Sequence, residues 1–186
     1  EGDDVQAHLS NLIKKVYQHP SVNVYTDTII TEATGYVGNF VTLIKSERGI
    51  KEIKHGATVI AVGADVYTPT EYLYGQNDKV LTHLELEAKI AAREASLIDA
   101  KSLVMVQCVG CRNQDRNYCS RICCSESVKN ALNLKELNPH MDIYIIYRDI
   151  RTYGFREDYY REAADKEVKF IRYEPENKPQ VEAVDE

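Results

Sequence analysis

Between residues 102 and 173 the chain passes through five segments in a fixed order, and this alternation limits the fold more than any other feature. "SLVMVQ" (102–107), "DIYIIY" (142–147) and "VKFIRY" (168–173) are short, mostly apolar runs of strand character. Between them, residues 120–137 and 156–165 carry the pattern of helices. A strand–helix–strand–helix–strand order predicts parallel strands with helical crossovers, since parallel neighbours cannot be joined by a tight turn. The C-terminal half is therefore expected to be α/β, a Rossmann-like parallel sheet with helices.

The N-terminal half has a different rhythm. Residues 5–17 have apolar side chains at helical spacing and stop before Pro20, which predicts an amphipathic helix. Three β-type runs follow, "VNVYTDTII", "NFVTLIKS" and "IKEIKH", with turns at "TGYVG" and "ERG"; they predict a small antiparallel meander. "ATVIAVGA" (57–64) is apolar throughout, which predicts a strand buried on both faces. Residues 65–81 read as a loop. "THLELEAKIAAREAS" opens with Thr82 as N-cap and Glu85 three positions on, a capping box. The charged, proline-containing tail from Glu174 predicts a linker.

With 186 residues, 44% of them apolar and 28% charged, the chain can bury a real core and is not of disordered composition. A net charge of −6 argues against nucleic acid or anionic membrane as partner, because both reward a basic surface. No apolar run approaches a membrane span, so no membrane insertion is expected, and "EGDDVQAHLS" is not a signal peptide. The missing initial methionine suggests a piece of something longer. All five cysteines fall between 108 and 124. An odd number, in a chain that needs no staples, argues for a reducing cytoplasm over a disulfide framework.

Those cysteines occupy a telling place. In a nucleotide-binding βαβ unit, a glycine-rich turn after the first strand lets backbone N–H groups meet pyrophosphate at the helix N-terminus. Here that turn reads "CVGCRNQDRNYCSRICC", with Gly110 its only glycine, so thiols stand where phosphate would lie and binding of NADH or NADPH is not expected. If the helix begins near Ser120, Cys119 and Cys123 stack on one face and Cys124 sits about 100° round. Cys108 arrives from the strand end. Thiolates gathered at a helix N-terminus suit an anionic iron–sulfur cluster. Zinc also accepts four sulfurs, although its usual signature is two separate C-x-x-C pairs. A strained Cys123–Cys124 disulfide is a third option. One buried cysteine is ordinarily a small hydrophobe; five within 17 positions, beside Arg112, Arg116 and Arg121, are not core filler. The five histidines lack partner spacing and read as surface or satisfied core residues.

"VQCVGCRNQDRNYCSRICC", with "VKNALNLKELNP", "IYIIYRDIRTYGFREDYYREA" and "VKFIRY", resembles the A subunit of heterodisulfide reductase and its bacterial relatives. "GYVGNF", "GATVIAVGA" and "EYLYGQNDKVLTHLELE" fit the same family. The resemblance implies a flavoprotein of the thioredoxin-reductase type, with an interrupted FAD domain and a 4Fe–4S cluster in the domain that would otherwise hold nicotinamide. It implies Cys108, Cys119, Cys123 and Cys124 as cluster ligands and Cys111, often serine in the family, as a spare thiol. Gly63 in "AVGA" matches a second FAD-contacting segment. The N-terminal G-x-G-x-x-G and the ferredoxin cysteine motif are not in this sequence, so weak or no FAD binding is expected. The implied division is 1–98, a partial FAD-binding segment with the meander; 99–174, a Rossmann-like domain carrying the cysteines; and 175–186, a linker tail. The implied function is that of a cytoplasmic oxidoreductase component relaying electrons between FAD and 4Fe–4S clusters in reduction of the coenzyme M–coenzyme B heterodisulfide, or in a related bacterial redox complex. Its partners would be other subunits of a heterodisulfide reductase or hydrogenase type. This stretch would contribute no catalytic residue and be inactive alone. The alternatives are a structural zinc-binding interaction module and a thiol–disulfide oxidoreductase using Cys123 or Cys124.

Overall fold

In the computed structural model, which describes residues 4–184, the strands pair into two separate three-stranded sheets, one antiparallel and one parallel. Each belongs to one of two units, Glu1–Ala64 and Asp65–Glu186. The expected mixed α/β class is therefore observed.

The first unit opens with α1 (Val5–Gln18), whose N-terminus is capped by the Asp4 carboxylate accepting from the Ala7 N–H at 2.9 Å. None of its residues is buried. Strands β1 (Ile29–Tyr36), β2 (Asn39–Ser46) and β3 (Gly49–His55) form the expected meander, closed by two-residue turns at 37–38 and 47–48. The first strand starts later than its composition suggests, and residues 22–28 join no ladder. The register explains this. Ile29 already lies opposite Lys45, so β2 has almost run out of ladder. Burial in this sheet is confined to Thr42 and Ile44 of β2.

The expected buried strand at 57–64 does not form. Val59, Ile60 and Val62 are 87%, 81% and 88% exposed. An apolar strand must be flanked on both sides to be buried on both faces, and neither sheet among the described residues pairs with this run.

The second unit contains α2 (His83–Ala92), α3 (Ala95–Ile98), β4 (Ser102–Val106), α4 (Cys123–Leu137), β5 (Asp142–Tyr147), α5 (Arg156–Asp165) and β6 (Lys169–Arg172). The capping box forms as expected: the Glu85 N–H donates to Thr82 Oγ1 at 3.3 Å, and Glu85 Oε2 accepts from the Thr82 N–H at 2.6 Å. The strands run parallel in the order β4–β5–β6, from Ser102 opposite Asp142 to Tyr147 opposite Arg172. Ile143 and Ile145 of β5 are fully buried and meet Val128, Ala131 and Leu134 of α4 in one core. Each such large side chain contributes about 1.5–3 kcal/mol on burial. Leu86 and Leu97 join that core, so residues 83–98, expected to lie in the partial FAD-binding segment, pack with the parallel sheet.

One boundary near the cysteines differs from expectation. Helix α4 begins at Cys123, not near Ser120, because Arg121 takes a left-handed φ of 61° that a helix cannot continue through. Cys119 is therefore a loop residue. Among the described residues no helix is long and apolar enough to cross a membrane.

Candidate metal centre

The site is built on the end of β4. Gln107 is buried, and its N–H donates to the Ile146 carbonyl at 2.8 Å, extending the sheet by one bond. The chain then bends sharply, with Cys108, Gly110 and Arg112 at φ values of 62°, 68° and 55°. A side chain at Gly110 would run into the Tyr67 ring, so the close approach requires glycine there. Tyr67 carries the Arg116 guanidinium over its ring at 4.8 Å. A small turn at Asn113–Arg116 and the bond from the Arg112 N–H to the Tyr118 carbonyl at 3.2 Å bring the chain back toward α4.

The consequence is convergence. Cys108, Cys111, Cys119, Cys123 and Cys124 all line one small cavity of about 10 Å³, and all five are free thiols. The sulfurs are held by different groups. Arg112 Nη1 donates to Cys108 Sγ at 3.8 Å, and the Arg121 backbone N–H donates to Cys119 Sγ at 3.3 Å. Ser120 Oγ lies 2.9 Å from Cys123 Sγ, and Cys124 Sγ donates to the Asp149 carbonyl at 3.6 Å. Burial, reinforced by the neighbouring Cys108, Cys123 and Cys119, pushes the Cys111 thiol up to about 11. Burial also raises Cys124, against the opposing pull of the Arg151 backbone N–H. Among the described residues no group of three or more His, Cys, Asp or Glu is arranged to hold a single metal ion.

The four expected ligands are thus brought to one cavity, and Cys111 with them. Gly63, in the other unit, is exposed in irregular backbone at φ 71° with open space around it.

Two features of the site carry no signal in the sequence. Arg112 is ion-paired through Nη2 to Asp149 at 2.6 Å, and its carbonyl accepts from Arg148 Nη1 at 2.7 Å. The second is His83, which lies behind the N-terminus of α4. Ser127 Oγ–H donates to the Cys123 carbonyl at 2.8 Å and lies 3.2 Å from His83 Nε2. Having spent its single hydrogen, Ser127 must accept from the histidine, which places the imidazole proton on Nε2. Gln107 Nε2 donates to the same hydroxyl. His83 Nδ1 and Gln107 Oε1 are buried with no partner among the described residues. Burial is the main cause that lowers the His83 pKa; Lys129 acts in the same sense and Glu87 against it.

No protein-family model matches the chain. Curated relatives do. It is 41% identical to the iron-sulfur A subunit of CoB–CoM heterodisulfide reductase from Methanocaldococcus jannaschii, across 67% of this chain and 21% of that protein. It is 40% identical to the A subunit of the H2/formate:CoB–CoM heterodisulfide,ferredoxin reductase from Methanococcus maripaludis, with the same coverage of 67% and 21%. With the A subunit of the ferredoxin:CoB–CoM heterodisulfide reductase from Methanosarcina acetivorans the identity is 30%, over 68% and 21%. The chain belongs to the family of heterodisulfide reductase A subunits. It spans about a fifth of the length of these relatives. The Methanocaldococcus relative is by name an iron–sulfur protein, and five thiols around one cavity are a donor set of the kind such a group requires.

Proposed function

We propose that the cysteine cavity holds a 4Fe–4S cluster through Cys108, Cys119, Cys123 and Cys124. The chain would be part of an iron–sulfur flavoprotein passing electrons between FAD and such clusters, in heterodisulfide reduction or a related redox complex. The observation that carries this reading is the gathering of every cysteine, from the strand end, the loop and the first turn of α4, around one cavity. When bound, the cluster supplies one-electron transfer.

The protein's own part is to hold and shield it. Cys123 and Cys124 sit at the N-terminal end of α4, where free N–H groups favour negative charge. The Arg121 N–H already reaches one sulfur and the Arg112 guanidinium another. A ligand must be a thiolate, and the reading leaves Cys111 as a spare thiol beside the four in the same cavity. A single zinc ion would need its thiolates to close on one point, with zinc–sulfur distances of about 2.3 Å, whereas a cluster binds each thiolate at a different iron. A thiol–disulfide enzyme needs a thiol of lowered pKa, and that of Cys124 is raised.

In the same reading, residues 1–98 are a partial FAD segment with Gly63 near the cofactor, 99–174 the cluster domain and 175–186 a linker. The partners are further subunits of a reductase or hydrogenase type in a reducing cytoplasm. The chain alone would be inactive and would bind neither FAD nor NAD(P)H tightly.

Anaerobic reconstitution with iron and sulfide tests the ligand set. Cys119→Ser should lose most of its iron and its visible absorbance, and Cys111→Ser should keep both. Iron lost from Cys111→Ser but kept by Cys108→Ser would make Cys111 the upstream ligand. Full iron in every single variant, or zinc in its place, would overturn the cluster.

A further inference from the structure

We propose that Arg112 tunes the reduction potential of the cysteine-bound group, raising it by holding a positive charge against the Cys108 sulfur. This rests on the cluster reading above. Three arginines lie in the cysteine loop, and they are used differently. Arg116 stacks on Tyr67, and Arg121 offers a sulfur its backbone N–H. Arg112 directs its guanidinium at one, with Nη1 3.8 Å from Cys108 Sγ.

Its position is fixed from every side. The backbone is left-handed at φ 55°, its N–H donates to Tyr118 and its carbonyl accepts from Arg148. The other guanidinium nitrogen is clamped by Asp149 at 2.6 Å. The Arg112 side chain is 17% exposed and that of Asp149 48%. The cation therefore lies half-sheltered against the Cys108 sulfur, while its countercharge is more exposed to water and is screened more strongly. A guanidinium cannot lose its proton at any working pH. An electron entering the cysteine-bound group adds one negative charge. A fixed cation beside a sulfur then favours the reduced form over the oxidised one, since net charge and hydrogen bonds to the sulfurs set such potentials.

The test is a redox titration of the anaerobically reconstituted 186-residue chain, poised with a chemical reductant and followed by visible bleaching and electron paramagnetic resonance. Iron and sulfide are assayed first; a wild-type chain that holds neither overturns the cluster reading before any potential is measured. With iron content equal to wild type, Arg112→Gln should shift the midpoint potential downward, and Arg112→Lys, which keeps the charge, should shift it less. Asp149→Asn, which removes only the countercharge, should leave the potential at or above that of wild type. Equal potentials in Arg112→Gln and wild type overturn the proposal. Should Arg112→Gln hold no iron, Asp149→Asn decides, and a potential below wild type overturns it.

Discussion

Cys111 sits among four other sulfurs, and its proton is held to a pKa of about 11, first by burial and then by the charge that Cys108, Cys123 and Cys119 can carry. At pH 8 only roughly one such thiol in a thousand would be the reactive thiolate. In the metal-free chain, Cys111 should therefore label slowly with iodoacetamide at pH 8 and faster as the pH approaches 10, read residue by residue by mass spectrometry. Labelling at pH 8 as fast as a free cysteine would show that the thiol is not held in this way. The gathering of cysteines was legible because it is a matter of spacing in the chain. The grip of Arg112 on Cys108 was not, since it depends on left-handed turns at Cys108 and Arg112 that no residue type announces. The role of His83 is hidden in the sequence for a similar reason. Its partner Ser127 lies 44 positions away, and nothing local marks the pair.

At the scale of elements, the parallel strands and α5 were readable from periodicity, and the capping box of α2 from Thr82 and Glu85 alone. Both signals are local, so tertiary context had little to override. The start of α4 was less legible. The helical pattern runs back to Ser120, but Arg121 turns left-handed and Cys119 is left in the loop. That loop depends on Gly110 lying under the Tyr67 ring at φ 68°. Gly110→Ala combines a left-handed alanine with a collision against the ring, and should destabilise the second unit by about 1–3 kcal/mol. Adding Tyr67→Ala removes the collision and leaves the backbone strain, so the double variant should recover part of the loss in urea melts. No recovery at all would mean that the ring is not what excludes a side chain at Gly110.

Among the described residues, burial is unevenly shared: the twelve-residue core lies within residues 86–168, and the antiparallel sheet buries little of its own. The half-buried His83 connects that core to pH. Its pKa is lowered in the folded chain, so below about pH 6.5 the unfolded chain takes up a proton that the folded one refuses. Stability from this source is complete above that pH and declines as pH falls toward the folded value, by up to about 1.4 kcal/mol per unit. His83→Gln, which can still donate to Ser127, should lose less stability than wild type between pH 7.5 and pH 5 in urea melts. Equal losses would exclude the histidine as the source. The apolar run at 57–64 has a consequence of another kind. It is uncharged, free of proline and rich in β-branched residues, with Val59, Ile60 and Val62 more than four-fifths exposed. Stretches of that composition stack between molecules into intermolecular β-structure. How concentrated a solution of this chain can become should then depend on those few side chains more than on the thiols. Ile60→Lys should raise the concentration at which light scattering appears while leaving the far-ultraviolet circular dichroism unchanged, because a single charge in such a run interrupts the stacking without touching the core.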